Sequence, residues 1–253
     1  MEPSPSVSSA PPASVSINFG TAPVSIGTGV NYLRLRLASG AGACAPNGLA
    51  ADGEVEDYRV AFEARDFGDL PDTGPGAGPA NYATLSADSG ASHGIVPGVF
   101  LGAGVDAEGD GQPSVAADGD DANADDEDGL DALIRIAVVG SQARFLVRAT
   151  NLLPGGATAN LCGYVDWNGD GDFADAGETS VTPVANGASN TGVLAEFGIV
   201  PAGSEGQRYL RLRYSSASCA LQPGTGGGPA SLVDGEVEDY RITVRPGDYG
   251  DLP

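Results

Sequence analysis

Asp166-Trp-Asn168-Gly-Asp170-Gly171-Asp172-Phe173, followed by Asp175 and Glu178, is the segment whose residue types and spacing best suit a chemical task. Oxygen-bearing side chains stand at positions 1, 3 and 5 and glycine at position 6, the opening of an EF-hand-type calcium loop. A hard cation needs several oxygens aimed at one point, and Gly171 permits the bend that aims them. Glu178 falls at position 13 rather than 12, so either it or Asp175 closes the shell. Asn160-Leu-Cys-Gly-Tyr-Val165 reads as a strand, so the expectation is a calcium loop without the flanking helices. The bland reading is an acidic hairpin tip.

A second acidic stretch holds Asp106, Glu108 and Asp110, then Asp118 and Asp120, then Asp125, Asp126, Glu127 and Asp128. A charge run is ordinarily a solvated face, but carboxylates this dense repel one another unless cations sit among them. Further Ca2+ sites are expected here, without assigned ligands. A third block, Asp-Gly-Glu-Val-Glu-Asp-Tyr-Arg, occurs at 52–59 and again, unchanged, at 234–241. Glu236, Glu238 and Asp239 pair with Arg211 and Arg213 if the two segments are neighbouring strands, each pair contributing roughly 0.2–1 kcal/mol. Metal ligation is the rival role for these acids, and the spacing leaves both open.

Catalytic arrangements are scarce. His93 is the only histidine, in a glycine-rich loop, which suits a surface or hydrogen-bonding role. No nucleophile elbow, phosphate-binding glycine loop or zinc spacing is present. Paired carboxylates alone would permit glycosidase chemistry, but that also calls for an aromatic cleft, and the single Trp lies inside the calcium motif. The expectation is a protein that is not an enzyme. With 34 acidic against 12 basic residues the net charge is −22, which disfavours nucleic acid and anionic membrane as partners. No apolar run is long enough to cross a bilayer as a helix.

The elements that must position these groups read as strands. Leu33, Leu35 and Leu37 alternate with Tyr32, Arg34 and Arg36, and Leu210 and Leu212 alternate with Arg211 and Arg213. Further strands are expected at Leu133–Val139, Ala143–Asn151, Asn160–Asp166, Val193–Ile199 and Val237–Val244. Short strands between Gly- and Pro-rich turns make the fold class all-β, an antiparallel β-sandwich. The stretch from Asp66 to Asp131 is poor in large apolar residues, with Tyr82, Leu85 and Val99-Phe-Leu101 as its anchors. A metal-ordered connector is favoured there over disorder.

The chain repeats itself. Tyr32-Leu-Arg-Leu-Arg-Leu37 returns as Tyr209-Leu-Arg-Leu-Arg-Tyr214, and Asp66-Phe-Gly-Asp-Leu-Pro71 as Asp248-Tyr-Gly-Asp-Leu-Pro253. The expected organisation is a window on a tandem array: a Pro/Ser-rich linker over 1–14, the closing half of one β-domain over 15–65, an acidic connector over 66–131, a complete sandwich over 132–247 and the start of another connector over 248–253. Met1 is followed by no basic and apolar signal segment, which fits an excerpt. Cys44 and Cys219 occupy the same loop of successive copies, so Cys162 and Cys219 are expected to form a disulfide, in an oxidising compartment. Cys44 then pairs either upstream or with a neighbouring chain.

The repeated acidic block, the Asp166–Phe173 motif and Asp66-Phe-Gly-Asp-Leu-Pro-Asp72 together resemble the GEVED-domain family of bacterial secreted proteins. The acidic segment from Asp106 to Asp128 is similar to the connector that often precedes such domains. The resemblance covers most of residues 15–253 and implies large, adhesin-like extracellular or surface proteins with β-sandwich modules and bound calcium. The expected function is a calcium-stabilised structural or adhesive repeat. Its partners are neighbouring copies, with residues 15–65 either completed by another chain or ending at a chain boundary. The rival is a calcium-dependent glycan-binding module, for which Tyr164, Trp167 and Phe173 are the aromatics at hand.

Overall fold

The computed structural model describes residues 30–39, 45–61, 63–119, 128–131, 135–221, 231–232 and 234–248. Among them are thirteen β-strands and no α-helix. In chain order the first seven are β1 (Val30–Leu37), β2 (Glu54–Ala61), β3 (Arg65–Phe67), β4 (Ser92–Gly94), β5 (Val99–Leu101), β6 (Ile136–Val138) and β7 (Gln142–Asn151). The other six are β8 (Ala159–Val165), β9 (Thr179–Val184), β10 (Ala188–Ile199), β11 (Gly206–Ser215), β12 (Ser231–Leu232) and β13 (Glu236–Arg245).

Two sheets make the sandwich. One has the order β6-β13-β11-β8-β9 and the other β10-β7-β5. Pairing is antiparallel except where β6 runs parallel to β13 at the sheet edge. Strand β7 shows the alternation that drives this packing: Ala143, Phe145, Val147 and Ala149 are buried, while Gln142, Arg144, Leu146 and Arg148 face out. Those inward residues meet Leu161 and Val165 of β8, Leu210, Leu212 and Tyr214 of β11, and Tyr240, Ile242 and Val244 of β13. Phe197 of β10 packs edge-on to both Phe145 and Trp167, with ring centroids 5.9 and 6.1 Å apart.

The other face of the five-stranded sheet is also covered. A small sheet of order β12-β4-β3 lies there, together with the turns that follow β3. Leu70, Tyr82 and Ala117 from this layer form a second apolar cluster with Cys162, Tyr164 and Phe173. The stretch poor in apolar residues is thus folded onto the sandwich by a few large anchors. It also enters the main core, since β5 pairs with the end of β7 and buries Val99 and Leu101. Leu130 is buried in the same core.

Strands β1 and β2 form a separate two-stranded ribbon. Its register is that of β11 and β13: Tyr32 opposes Arg59 as Tyr209 opposes Arg241, Arg34 opposes Asp57 as Arg211 opposes Asp239, and Leu37 opposes Glu54 as Tyr214 opposes Glu236. Gly53 and Gly235 lead into β2 and β13 with φ of +102° and +105°. A Cβ at Gly235 would fall 1.8 Å from the Tyr214 carbonyl oxygen, and one at Gly53 would fall 1.7 Å from that of Leu37. The glycine in each repeated block is therefore required by the closure of its hairpin.

Candidate functional site

The repeated acidic block builds the most densely bonded site of the described residues. On β13, Asp239 lies opposite Arg211 on the face turned away from the sandwich core. The pair is bidentate, with Nε to Oδ1 and Nη2 to Oδ2 both at 2.8 Å, and both side chains are fully buried. Asp239 Oδ2 also accepts the backbone N–H groups of Asp69 and Leu70 at 2.8 and 2.9 Å. Arg211 gives its other donors to the Ala83 carbonyl at 3.0 Å and to Thr84 Oγ1 at 3.1 Å. Burial works against the Arg211 charge, but the Asp239 carboxylate outweighs it and the pKa is raised. Gly68 permits the close approach, because a Cβ there would lie 2.3 Å from Asp239 Oδ2. Asp66 answers from the connector by accepting the N–H of Val237.

Arg213, the next outward residue of β11, opposes Val237 rather than an acid. Its Nε donates to His93 Nε2 at 3.1 Å, and the opposite ring nitrogen of His93 lies 2.8 Å from the Asp234 carbonyl. These bonds fix a neutral imidazole that donates from Nδ1. Burial first, and then the Arg213 charge, hold its pKa well below the usual histidine range. Burial also brings Arg213 down to about 10. Asp234 closes the loop after β11, accepting from Ser215 Oγ at 2.5 Å and from the Ser216 N–H at 2.9 Å.

Glu236 and Glu238 point the other way, into the sandwich. Glu236 accepts the N–H of Leu101, while Glu238 accepts that of Gly129 at 3.1 Å and the hydroxyl of Tyr240. Tyr240 in turn accepts the N–H of Leu130 at 3.1 Å and has the Arg135 guanidinium 4.4 Å from its ring centre. Burial raises both carboxyls, Glu238 to about 8 and Glu236 well above its ordinary range. Both shifts favour the protonated carboxyls within the fold. The acids of this block thus clamp backbone N–H groups of the preceding segment from both faces of one strand.

The Asp166–Glu178 segment is a tight hairpin tip between β8 and β9. Asp166 Oδ1 accepts the N–H of Gly169 at 2.6 Å, and its Oδ2 accepts the N–H of Gly171 at 2.9 Å and the Tyr82 hydroxyl at 2.6 Å. Glu178 accepts the N–H groups of Trp167 and Asp175 at 2.9 and 3.1 Å. Burial, with the carboxylates of Asp166 and Asp175 nearby, pushes Glu178 up to about 7. Asn168 Nδ2 bridges the carboxylates of Asp170 and Asp175 at 2.9 and 2.7 Å. Asp172 bonds only the local backbone, accepting from the Ala174 N–H at 2.8 Å. Asn168 Oδ1 accepts the N–H of Asp170 at 3.0 Å. As they stand, no three acids, histidines or cysteines among the described residues converge on a metal position.

The other predicted ligands are dispersed. Glu108 accepts the N–H of Phe67, Asp110 accepts from Ser86, Asp118 accepts from Ser114 Oγ, and Asp128 pairs with Arg135. Asp106 is exposed, and Asp120, Asp125, Asp126 and Glu127 lie outside the described residues, as does Cys44. Cys162 and Cys219 are joined in a disulfide with their Cα atoms 5.6 Å apart. Trp167, Tyr164 and Phe173 are all buried and offer no exposed ring for stacking on a sugar. A groove of about 480 Å³ beside β5 is lined by such residues as Ile95, Val96, Pro97, Phe100 and Val105, none of them an acid, base or nucleophile.

A family model described as GEVED domain matches residues 2–61 and 160–243, more than half of the chain. The chain belongs to the GEVED domain family. No curated protein and no solved structure matches it. The two matched segments contain both copies of the ribbon, β1–β2 and β11–β13. In both copies of the GEVED block the same internal bonds recur: Arg34 pairs with Asp57 at 2.7 Å, Asp52 accepts the Ser39 N–H at 2.9 Å, and Tyr58 donates to Glu56. Sequence reasoning picked out Arg211 and Asp239 but missed Asp66, Gly68 and Asp69; of the two roles it offered His93, surface or hydrogen-bonding, the structure shows the second in a buried ring. The signal available for the first three was the recurrence of Asp-aromatic-Gly-Asp-Leu-Pro.

Proposed function

We propose that this chain is a structural and adhesive repeat of a large bacterial extracellular or surface protein, in which each GEVED strand locks the acidic connector before it onto its own sandwich. The observation that carries this reading is the buried Arg211–Asp239 pair holding the N–H groups of Asp69 and Leu70. A connector gripped in this way transmits orientation between successive sandwiches, which suits a stalk or filament better than a flexible tether. The disulfide fits an oxidising, extracellular setting. Calcium is proposed to reinforce the hairpin tip, with Asp166, Asn168, Asp170, Asp175 and Glu178 as the residues that would hold it. It would supply positive charge among acids on a chain of net charge −22.

Thermal unfolding and solution scattering of the whole chain, with millimolar calcium and then with excess chelator, test the reading. The expected result is a compact connector in both states and a higher melting temperature with calcium. Scattering from an extended, flexible connector would overturn the structural role. An unchanged melting temperature would remove calcium while leaving the clamp.

A further inference from the structure

The two ribbons share sequence, register and internal bonds, yet among the described residues only one is covered. On β11–β13 the outward face is buried beneath the connector, with Val237 only 1% exposed. On β1–β2 the same face is open: Tyr32 is 76% and Val55 50% exposed, and the Arg34 and Asp57 side chains are about half exposed. Arg34 and Arg36 give donors to the carbonyls of Pro46 and Gly48 in the loop before β2, at 3.2 and 2.9 Å. These carbonyls stand in for the acceptors that Arg211 and Arg213 find in the connector. Among the described residues Asp57 is bonded to Arg34 alone, so its oxygens retain room for the two N–H groups that Asp239 accepts.

What covers the second ribbon is specified by sequence. Asp66 takes the N–H of Val237, Gly68 allows approach, the N–H groups of Asp69 and Leu70 meet Asp239, and Leu70 is buried beneath. Only one other segment of the chain carries that set of residues in that order, Asp248-Tyr-Gly250-Asp-Leu-Pro253. The connector does not dock on the ribbon it follows but on the next one along the chain. By the same rule residues 248–253 are cut for a GEVED ribbon other than β11–β13, and β1–β2 presents one.

We propose that the outward face of β1–β2 binds residues 248–253 of a second copy of this chain, in the manner in which β11–β13 holds residues 66–71. Asp57 would accept the N–H groups of Asp251 and Leu252, and Asp248 would accept that of Val55. The contact joins different surfaces of the two copies, so it propagates head to tail instead of closing a dimer. It rests on the clamp described above and names its partner.

Sedimentation of the full chain over a range of concentrations, at millimolar calcium, tests it together with amide NMR of β1–β2. The expected result is association that grows with concentration and is lost in Gly250→Val and in Asp57→Asn. A synthetic Asp-Tyr-Gly-Asp-Leu-Pro peptide should shift the Val55 and Asp57 amide signals, and Val at its third position should weaken binding at least about tenfold. A monomer at every concentration with unmoved ribbon signals would overturn the proposal. So would association that survives both substitutions, or ribbon signals that change in Gly250→Val at monomeric dilution, since the chain would then be folding back on itself. Asp239→Asn separates the two levels: if it leaves the connector folded, the clamp itself fails. If it frees the connector but no association occurs, only the head-to-tail contact fails.

Discussion

Asp239 accepts two backbone N–H groups and a bidentate guanidinium in a layer closed to water. Replacing one partner of such a pair leaves an uncompensated charge, so Asp239→Asn should cost about 3–5 kcal/mol in denaturant unfolding. Glu236 and Glu238 have the opposite pH sense from His93. The acids keep a proton in the fold that they release when unfolded, so they favour the fold most below the ordinary carboxylate range, and that stability is lost as pH rises through Glu238's value of about 8. His93 is neutral in the fold, so its contribution is lost as pH falls below about 6.5. Above about 6.5 only the acids still act, so melting temperature should fall from neutral pH up to about 8. Glu238→Gln should flatten the alkaline limb, where Glu236, Asp66, Asp128 and Tyr240 are the titrating and charged neighbours. Tyr214 buries a hydroxyl that finds no hydrogen-bond partner among the described residues, and the matching position of the first ribbon is Leu37. Tyr214→Phe should leave stability unchanged or raise it by up to about 1 kcal/mol, measured by the same unfolding curves.

The strands of the sandwich that alternate cleanly were legible. Leu210, Leu212, Phe145 and Val147 announce their face by period, and β7, β8, β11 and β13 lie where the pattern puts them. Strand β9 was not legible, because Pro183 and two threonines disguise a strand that pairs along β8. The three-residue strands β3, β4 and β5 are too short to show any period, and side-chain-to-backbone bonds hold their surroundings more than apolar area does. Glu108 and Asp110, read as metal ligands, accept such bonds from Phe67 and Ser86. Alternation alone does not separate the two faces of the GEVED strand, since both carry acids: Glu236 and Glu238 face inward and Asp239 outward. The disulfide ties β8 to the loop after β11 across 57 residues of chain. Its removal by Cys162→Ser with Cys219→Ser should cost about 2–4 kcal/mol, seen as a lower denaturant midpoint under non-reducing conditions.

For the molecule as a whole, the account makes connector and sandwich one cooperative unit with a second, uncovered ribbon attached. Residues 63–119 are poor in apolar bulk, yet Leu70, Tyr82, Val99 and Leu101 are buried and the GEVED acids supply the remaining hold. Such a unit opens all at once or not at all. Native-state hydrogen exchange at the amides of Asp69 and Leu70, in the unaltered chain and in Asp239→Asn, tests this most directly. The account predicts protection matching that of β8 and β11 in the first, and exchange well ahead of those strands in the second. Rapid exchange at both amides in the unaltered chain, with β8 and β11 still protected, would contradict it.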